Sequence, residues 1–184
     1  MKMLLKTILS IVFVGFCLIS SAQRGASHSI GLQLNPYLDE DLFNGSSIKL
    51  VYALRYNFSI KDHLTLGPEL SGYYFKEHSV DYTDSNFNVG GFFRYSFFPA
   101  SRVKPFFELS PYYTFFSYKN APENFYPGML PNGKDSYLSG YLAPGISLFN
   151  KSQKFSFDLF CKFSSKGFVN GENIVLSYRF NFRF

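Results

Sequence analysis

Beyond its first two dozen residues the chain has a single cysteine, Cys161, so it can form no internal disulfide. Its three histidines, His28, His63 and His78, are scattered, and neither a zinc spacing nor a glycine-rich phosphate loop occurs. No apolar run past residue 22 approaches the roughly 20 residues that a transmembrane helix needs. No stretch sustains a 3.6-residue period, which excludes a helical bundle. The charge imbalance is mild. Of 18 Lys and Arg, Lys2 and Lys6 lie in the N-terminal segment, which leaves 16 against 13 acidic residues and a net charge near +3. With no basic cluster or stripe, nucleic acid is not an expected partner.

The N-terminal segment has the layout of an export signal. Lys2 and Lys6 form a basic region, residues 8–19 are apolar, and Ser20-Ser21-Ala22 offers small residues for cleavage before Gln23. A lipoprotein signal would use Cys17, but Phe16 stands where a small residue is expected. The expected organisation is a signal peptide over 1–22 and one domain over 23–184.

What the chain has in abundance is aromatic residues, 21% of the total, and they fall in alternating patterns. In the last eleven residues Ile174, Leu176, Tyr178, Phe180, Phe182 and Phe184 alternate with Val175, Ser177, Arg179, Asn181 and Arg183. A period of two describes a strand with one apolar and one mostly polar face. The same reading predicts eight strands over 27–35, 48–58, 63–75, 86–97, 105–116, 137–148, 155–164 and 174–184. All are long enough for the roughly 9–11 residues of a tilted membrane strand and exceed the roughly 5–6 usual in soluble sheets. Connections alternate between long (36–47, 76–86, 117–136, 164–173) and short (59–62, 98–104, 149–154), as in barrels with short periplasmic turns and long external loops. Pro68, Pro111 and Pro144 fall inside strands, and bulges are expected there. The segments 67–74 and 106–113 echo one another, each with Glu and Tyr at matching places.

Two barrels fit this pattern. A soluble lipocalin-like carrier keeps an apolar calyx inside, whereas a membrane barrel keeps its polar face inside. The charges favour the second. Lys49, Arg55, Glu69, Arg94, Glu108, Asp158, Lys162, Arg179 and Arg183 all fall on the polar faces, and the opposite face is almost uncharged. Tyr56, Phe58, Tyr95, Phe97 and Phe184 near one set of strand ends, with Tyr74, Tyr113 and Phe115 near the other, read as two interfacial girdles. The expected fold is all-β, an eight-stranded antiparallel up-and-down transmembrane β-barrel.

These features carry a resemblance. The signal ending Ser20-Ser21-Ala22-Gln23, the segment Gly90-Gly91-Phe92-Phe93-Arg94-Tyr95 and the aromatic ending 178–184 resemble small outer-membrane β-barrel proteins of Gram-negative bacteria. The group is OmpA/OmpX-like, in the versions common in Bacteroidetes. The resemblance implies the outer membrane as location and its lipid as surroundings. It also implies that Tyr178, Phe180, Phe182 and Phe184 form the C-terminal signal read by the insertion machinery. It says little about activity.

No catalytic constellation emerges. Outer-membrane lipid A deacylases resemble this size class and use His and Ser two positions apart, but here Ile30 and Val80 stand two residues after His28 and His78. His78, Asp81, Asp84 and Ser85 could be cast as a palmitoyltransferase-like set, although a solvated loop explains them as well. The acidic stretch Asp39-Glu40-Asp41, and Asp81 with Asp84, match no calcium loop. No metal and no cofactor is expected. The expected role is a non-catalytic barrel, porin-like in outline, that supports the envelope or presents loops to a ligand. The alternative is a narrow pore or an accessory of a transport or secretion machine. The longest connection, with Tyr118, Phe125, Tyr126, Met129 and Leu130, is the candidate surface for a protein partner.

Register makes the lumen specific, because paired residues of a hairpin lie equally far from its turn. Arg94 and Glu108 are equidistant from a turn near 101, and Asp158 and Arg179 from one near 168.5. A turn near 81 would pair Glu69 with Arg94. Arg55, Glu69, Arg94, Glu108, Asp158, Lys162 and Arg179 are therefore the expected lumen charge network, with Arg94 between two carboxylates.

Overall fold

The computed structural model describes residues 27–36, 47–79, 81–121, 132–166 and 173–184. The expected signal segment 1–22, the acidic stretch 39–41 and the loop residues Phe125, Tyr126, Met129 and Leu130 lie outside them. Eight strands follow in order: β1 Ser27–Pro36, β2 Ser47–Lys61, β3 Leu64–Glu77, β4 Tyr82–Ser96, β5 Val103–Lys119, β6 Gly133–Phe149, β7 Phe155–Ser164 and β8 Ile174–Arg183. Each pairs antiparallel with its neighbour, and β8 closes onto β1, giving a closed barrel in sequence order.

The period of two decides what each strand does. From Lys104 to Thr114 every second residue is buried, and in β8 the buried residues are Val175, Ser177, Arg179 and Asn181. The two faces have inverted polarity. Among the described residues, buried polar or charged side chains outnumber buried apolar ones 22 to 13, and Leu32, Leu54, Phe93, Phe107, Leu142 and Phe180 point outward. This is the reverse of a lipocalin calyx, which keeps its apolar face inside.

Three expectations are corrected. The strands β4, β5 and β6 extend further toward the long connections, so Asp84 and Ser85 are strand residues and Tyr118 lies in β5, paired with Gly133. The reason is local: Thr83, Ser85, Phe87 and Tyr82, Asp84, Asn86 keep the alternation going beyond the apolar stretch that marked the strand. The prolines form no bulges. Pro68 pairs with Gly91 and Pro144 with Phe107 without any register shift, and the pairs on both sides of Pro111 keep one register with β4. Each proline instead leaves two adjacent positions unpaired on one flank while its other ladder continues. Beside Pro68 the chains approach so closely that a Cβ on Gly67 would lie 1.8 Å from the Tyr56 carbonyl oxygen, a contact only glycine allows. The register between β2 and β3 shifts at Ser59/Lys61, next to the short turn.

The third correction is register. The hairpin β3–β4 pairs Glu77 with Tyr82, Glu69 with Gly90 and Arg94 with Thr65. Its turn is therefore centred nearer to β3 than a turn at 81 requires, and Glu69 does not face Arg94. Glu69 faces Arg55 across β2–β3. The hairpins β4–β5 and β7–β8 pair Arg94 with Glu108 and Asp158 with Arg179.

Candidate functional site

The barrel interior is filled at mid-height by ionic groups from six strands. Glu108 on β5 is the hub. Arg55 on β2 grips it with two nitrogens, Nη2 at 2.6 Å from Oε1 and Nη1 at 2.8 Å from Oε2. Arg94 on β4 donates from Nε to Oε2 at 2.9 Å, and Arg179 on β8 reaches the same oxygen at 3.4 Å. Glu69 on β3 takes Arg55 Nη2 at 2.6 Å. Asp158 on β7 accepts from Arg94 Nη2 at 2.8 Å and from Ser147 Oγ at 2.6 Å. Arg94 thus sits between two carboxylates, but the second is Asp158, reached across the lumen. An eight-stranded interior is narrow enough for side chains of distant strands to meet.

Rings complete the network, and here reading by charge alone fell short. The guanidinium of Arg55 lies 3.8 Å from the centre of Phe92, that of Arg94 3.8 Å from Phe106, and that of Arg179 4.4 Å from Phe160. Lys162 lies 4.5 Å over Tyr141. Such contacts are worth up to about 2 kcal/mol when desolvated. Tyr141 also places its hydroxyl between the two glutamates, 3.0 Å from Glu69 Oε1 and 2.9 Å from Glu108 Oε1. The sequence signal was present: Phe92 stands two residues before Arg94, Phe106 two before Glu108, and Phe160 between Asp158 and Lys162, so each shares a face with a charge.

Amides and hydroxyls form layers on both sides. Toward the long connections Thr114 donates to Asn88 at 2.8 Å, Gln33 to Ser177 at 3.3 Å, and Tyr73 to Asp84 at 2.5 Å. Toward the short turns Asn57 donates to Ser29 at 3.0 Å and Asn181 to Ser156 at 3.2 Å. Fully buried Arg55, Glu108, Asp158 and Arg179 between these layers leave no water-filled channel at mid-height.

The remaining candidates separate. Tyr118 packs against the core beside Phe116 at the loop end of the barrel. Tyr178, Phe180 and Phe182 face outward on β8 and meet Phe157 and Phe155 of β7, with Phe184 beyond them largely exposed. His28 lies among Tyr56, Phe58 and Phe184, its Nδ1 2.6 Å from the Tyr56 hydroxyl, and His63 stacks on Tyr95. Asp81 contacts Lys76 at 3.6 Å, whereas Asp84 turns inward to Tyr73, so the two carboxylates point to different surroundings. Among the described residues no group of three or more His, Cys, Asp or Glu side chains is placed to hold a metal ion.

No protein-family model matches the chain, and no curated protein matches it. Solved structures do. Neisserial surface protein A superposes with a TM-score of 0.55 at 16% identity, covering 86% of this chain and 95% of that one. Ail, the attachment invasion locus protein of Yersinia pestis, gives 0.46 at 13% identity, covering 86% and 97%. Ail in complex with the heparin analogue sucrose octasulfate gives 0.44. These neighbours are small eight-stranded outer-membrane barrels. The likeness to the first shows the fold, a closed eight-stranded antiparallel barrel.

Proposed function

We propose that this chain is a non-catalytic integral barrel of the outer membrane, closed at mid-height, that serves the envelope structurally or holds external loops out to a partner. One observation carries the reading: the apolar exterior. The outward mid-strand positions carry no charge, whereas the interior is ionic. A Lys or Arg on a lipid-facing strand costs about 2–4 kcal/mol at the bilayer midplane, so such an exterior suits lipid. Outward rings gather toward the strand ends, as Tyr95 with Phe97 and Tyr113 with Phe115, in the manner of interfacial girdles. On this reading the surrounding partner is outer-membrane lipid, the aromatic C-terminal strand serves the insertion machinery, and residues 1–22 are removed on export.

The test is fractionation of the expressed full-length protein with N-terminal sequencing. The expected result is a chain beginning at Gln23 in the outer-membrane fraction, with heat-modifiable migration in detergent. Recovery of folded protein in soluble periplasm without detergent would overturn the reading. The loop role has a separate test, replacement of 121–133 by a short Gly-Ser linker. Retained folding with lost capture of a surface partner supports loop binding, and lost folding assigns the segment to the barrel.

A further inference from the structure

We propose that the turn-side mouth of the barrel is a binding site for a phosphate group. Below the ionic layer lies a cavity of about 60 Å³, lined among others by Ser29, Asn57, Arg94, Lys104, Asn181 and Arg183. Its charges are unequal. Arg94, in the roof, is already matched by Glu108 and Asp158. Lys104 and Arg183 are not: among the described residues no carboxylate comes within ion-pair distance of either. Exposed Lys154 adds a third cation, and exposed Asp62 is the one carboxylate in the lining.

The geometry of the two cations is specific. Lys104 is buried, 7% exposed, with its ammonium 4.3 Å over the ring of Phe149, and Arg183 lies 5.6 Å from the same ring. One aromatic ring therefore holds two like charges at the wall of one cavity. The rings of the middle layer do the same for arginines, but there a carboxylate accompanies each arginine. A buried cation is tolerable when it is paired, and with only the exposed carboxylate of Asp62 in the lining, an anion from outside would complete the pairing. Asn57 and Asn181 donate to Ser29 and Ser156, and these two serines keep their hydroxyl hydrogens to donate around the space. Cations and neutral donors converging from several strands suit a tetrahedral, multiply charged oxyanion better than a planar carboxylate. The space is large enough for one such group. On the orientation proposed above, this mouth faces the periplasm, where a free phosphate and a lipid headgroup both offer the chemistry.

The experiment uses the mature barrel, folded in a non-ionic detergent without phosphate. Inorganic phosphate is titrated by calorimetry and by thermal shift of the folded band, against sodium chloride at equal ionic strength. Saturable phosphate binding with a thermal shift that chloride does not reproduce is expected. Lys104→Met and Arg183→Gln should each weaken binding at least about tenfold, the loss expected from one charge-assisted hydrogen bond. Lys151→Gln, on the same turns but outside the cavity, should leave it unchanged. If Lys104→Met fails to fold, half-buried Arg183 carries the test. A parallel titration with a short-chain phosphatidic acid below its micelle concentration separates the sources. Tighter binding than inorganic phosphate assigns a lipid headgroup, and equal or weaker binding assigns the free ion. Equal shifts with chloride, or unaltered binding in both cavity variants, would overturn the proposal.

Discussion

Arg94 and Asp158, 64 residues apart and on strands that are not neighbours, meet across the lumen with Nη2 2.8 Å from Oδ2. The same guanidinium holds Glu108 and lies against the ring of Phe106. One side chain therefore ties β4 to β5 along the sheet and to β7 through the interior. Removing one partner of a buried pair typically costs about 3–5 kcal/mol, because the remaining charges are stranded. Arg94→Ala is expected to lose about that much in urea unfolding of the detergent-folded barrel. Exposed substitutions at the loop end of the barrel, such as Lys119→Ala, should stay within about 0.5–1 kcal/mol. A loss from Arg94→Ala no larger than from Lys119→Ala would sink this account of the interior.

Closure of the lumen is a prediction about transport. With Arg55, Glu108, Asp158 and Arg179 fully buried in one layer, the unmodified barrel should show no steady porin-sized conductance in planar bilayers. Arg55→Ser, Glu108→Ser and Arg94→Ser combined remove the hub with its two closest arginines and should introduce a measurable leak. A steady large conductance in the unmodified protein would contradict the filled interior.

How far the interior was legible depends on how far its contacts are from the chain's own hairpins. The pairs Arg94–Glu108 and Asp158–Arg179 follow from the positions of two short-range turns, because antiparallel register propagates from a turn. The same rule misplaces Glu69, since a shift of the β3–β4 turn by two residues moves every partner by four, from Arg94 to Gly90. Arg94–Asp158 joins non-adjacent strands, and no hairpin rule reaches it. Tyr141 looked like one more aromatic among many, and only the closed barrel brings its hydroxyl to Glu69 and Glu108. Those two glutamates belong to the echoing segments 67–74 and 106–113, so the repetition corresponds to two carboxylates converging on Arg55.

The glycines beside the prolines give a third prediction. A Cβ at Gly67 would meet the Tyr56 carbonyl oxygen at 1.8 Å, and one at Gly90 the Pro111 carbonyl oxygen at 2.3 Å, both backbone atoms that cannot turn away. Gly91, on the outward face of the same strand, meets nothing nearer than 3.2 Å. Gly67→Ala and Gly90→Ala should each cost at least about 1–3 kcal/mol, the usual range for overpacking, and lower the folded yield. Gly91→Ala should cost less than either, since its closest contact is 3.2 Å. Folded fractions read from heat-modifiable migration check this, and equal effects at Gly67 and Gly91 would refute it.

The turn between β4 and β5 offers the opposite change, a gain. Phe98 has a φ of 50° and is 70% exposed, and its carbonyl accepts from the Ser101 amide at 2.9 Å. The left-handed region costs a residue with a side chain about 1–2 kcal/mol, and glycine escapes that cost. Phe98→Gly should therefore stabilise the barrel by about 1 kcal/mol in detergent, after the extra unfolded-state freedom of glycine is offset. In a bilayer the balance changes. Phe98 follows Phe97, which packs at 5.1 Å on Tyr95 at the turn-side end of the exterior, where an exposed ring can anchor at the lipid interface. The gain should shrink or reverse in lipid vesicles. Unfolding Phe98→Gly in both media separates strain from anchoring: a gain in detergent that disappears in lipid supports both, and equal destabilisation in both media would show that neither governs this turn.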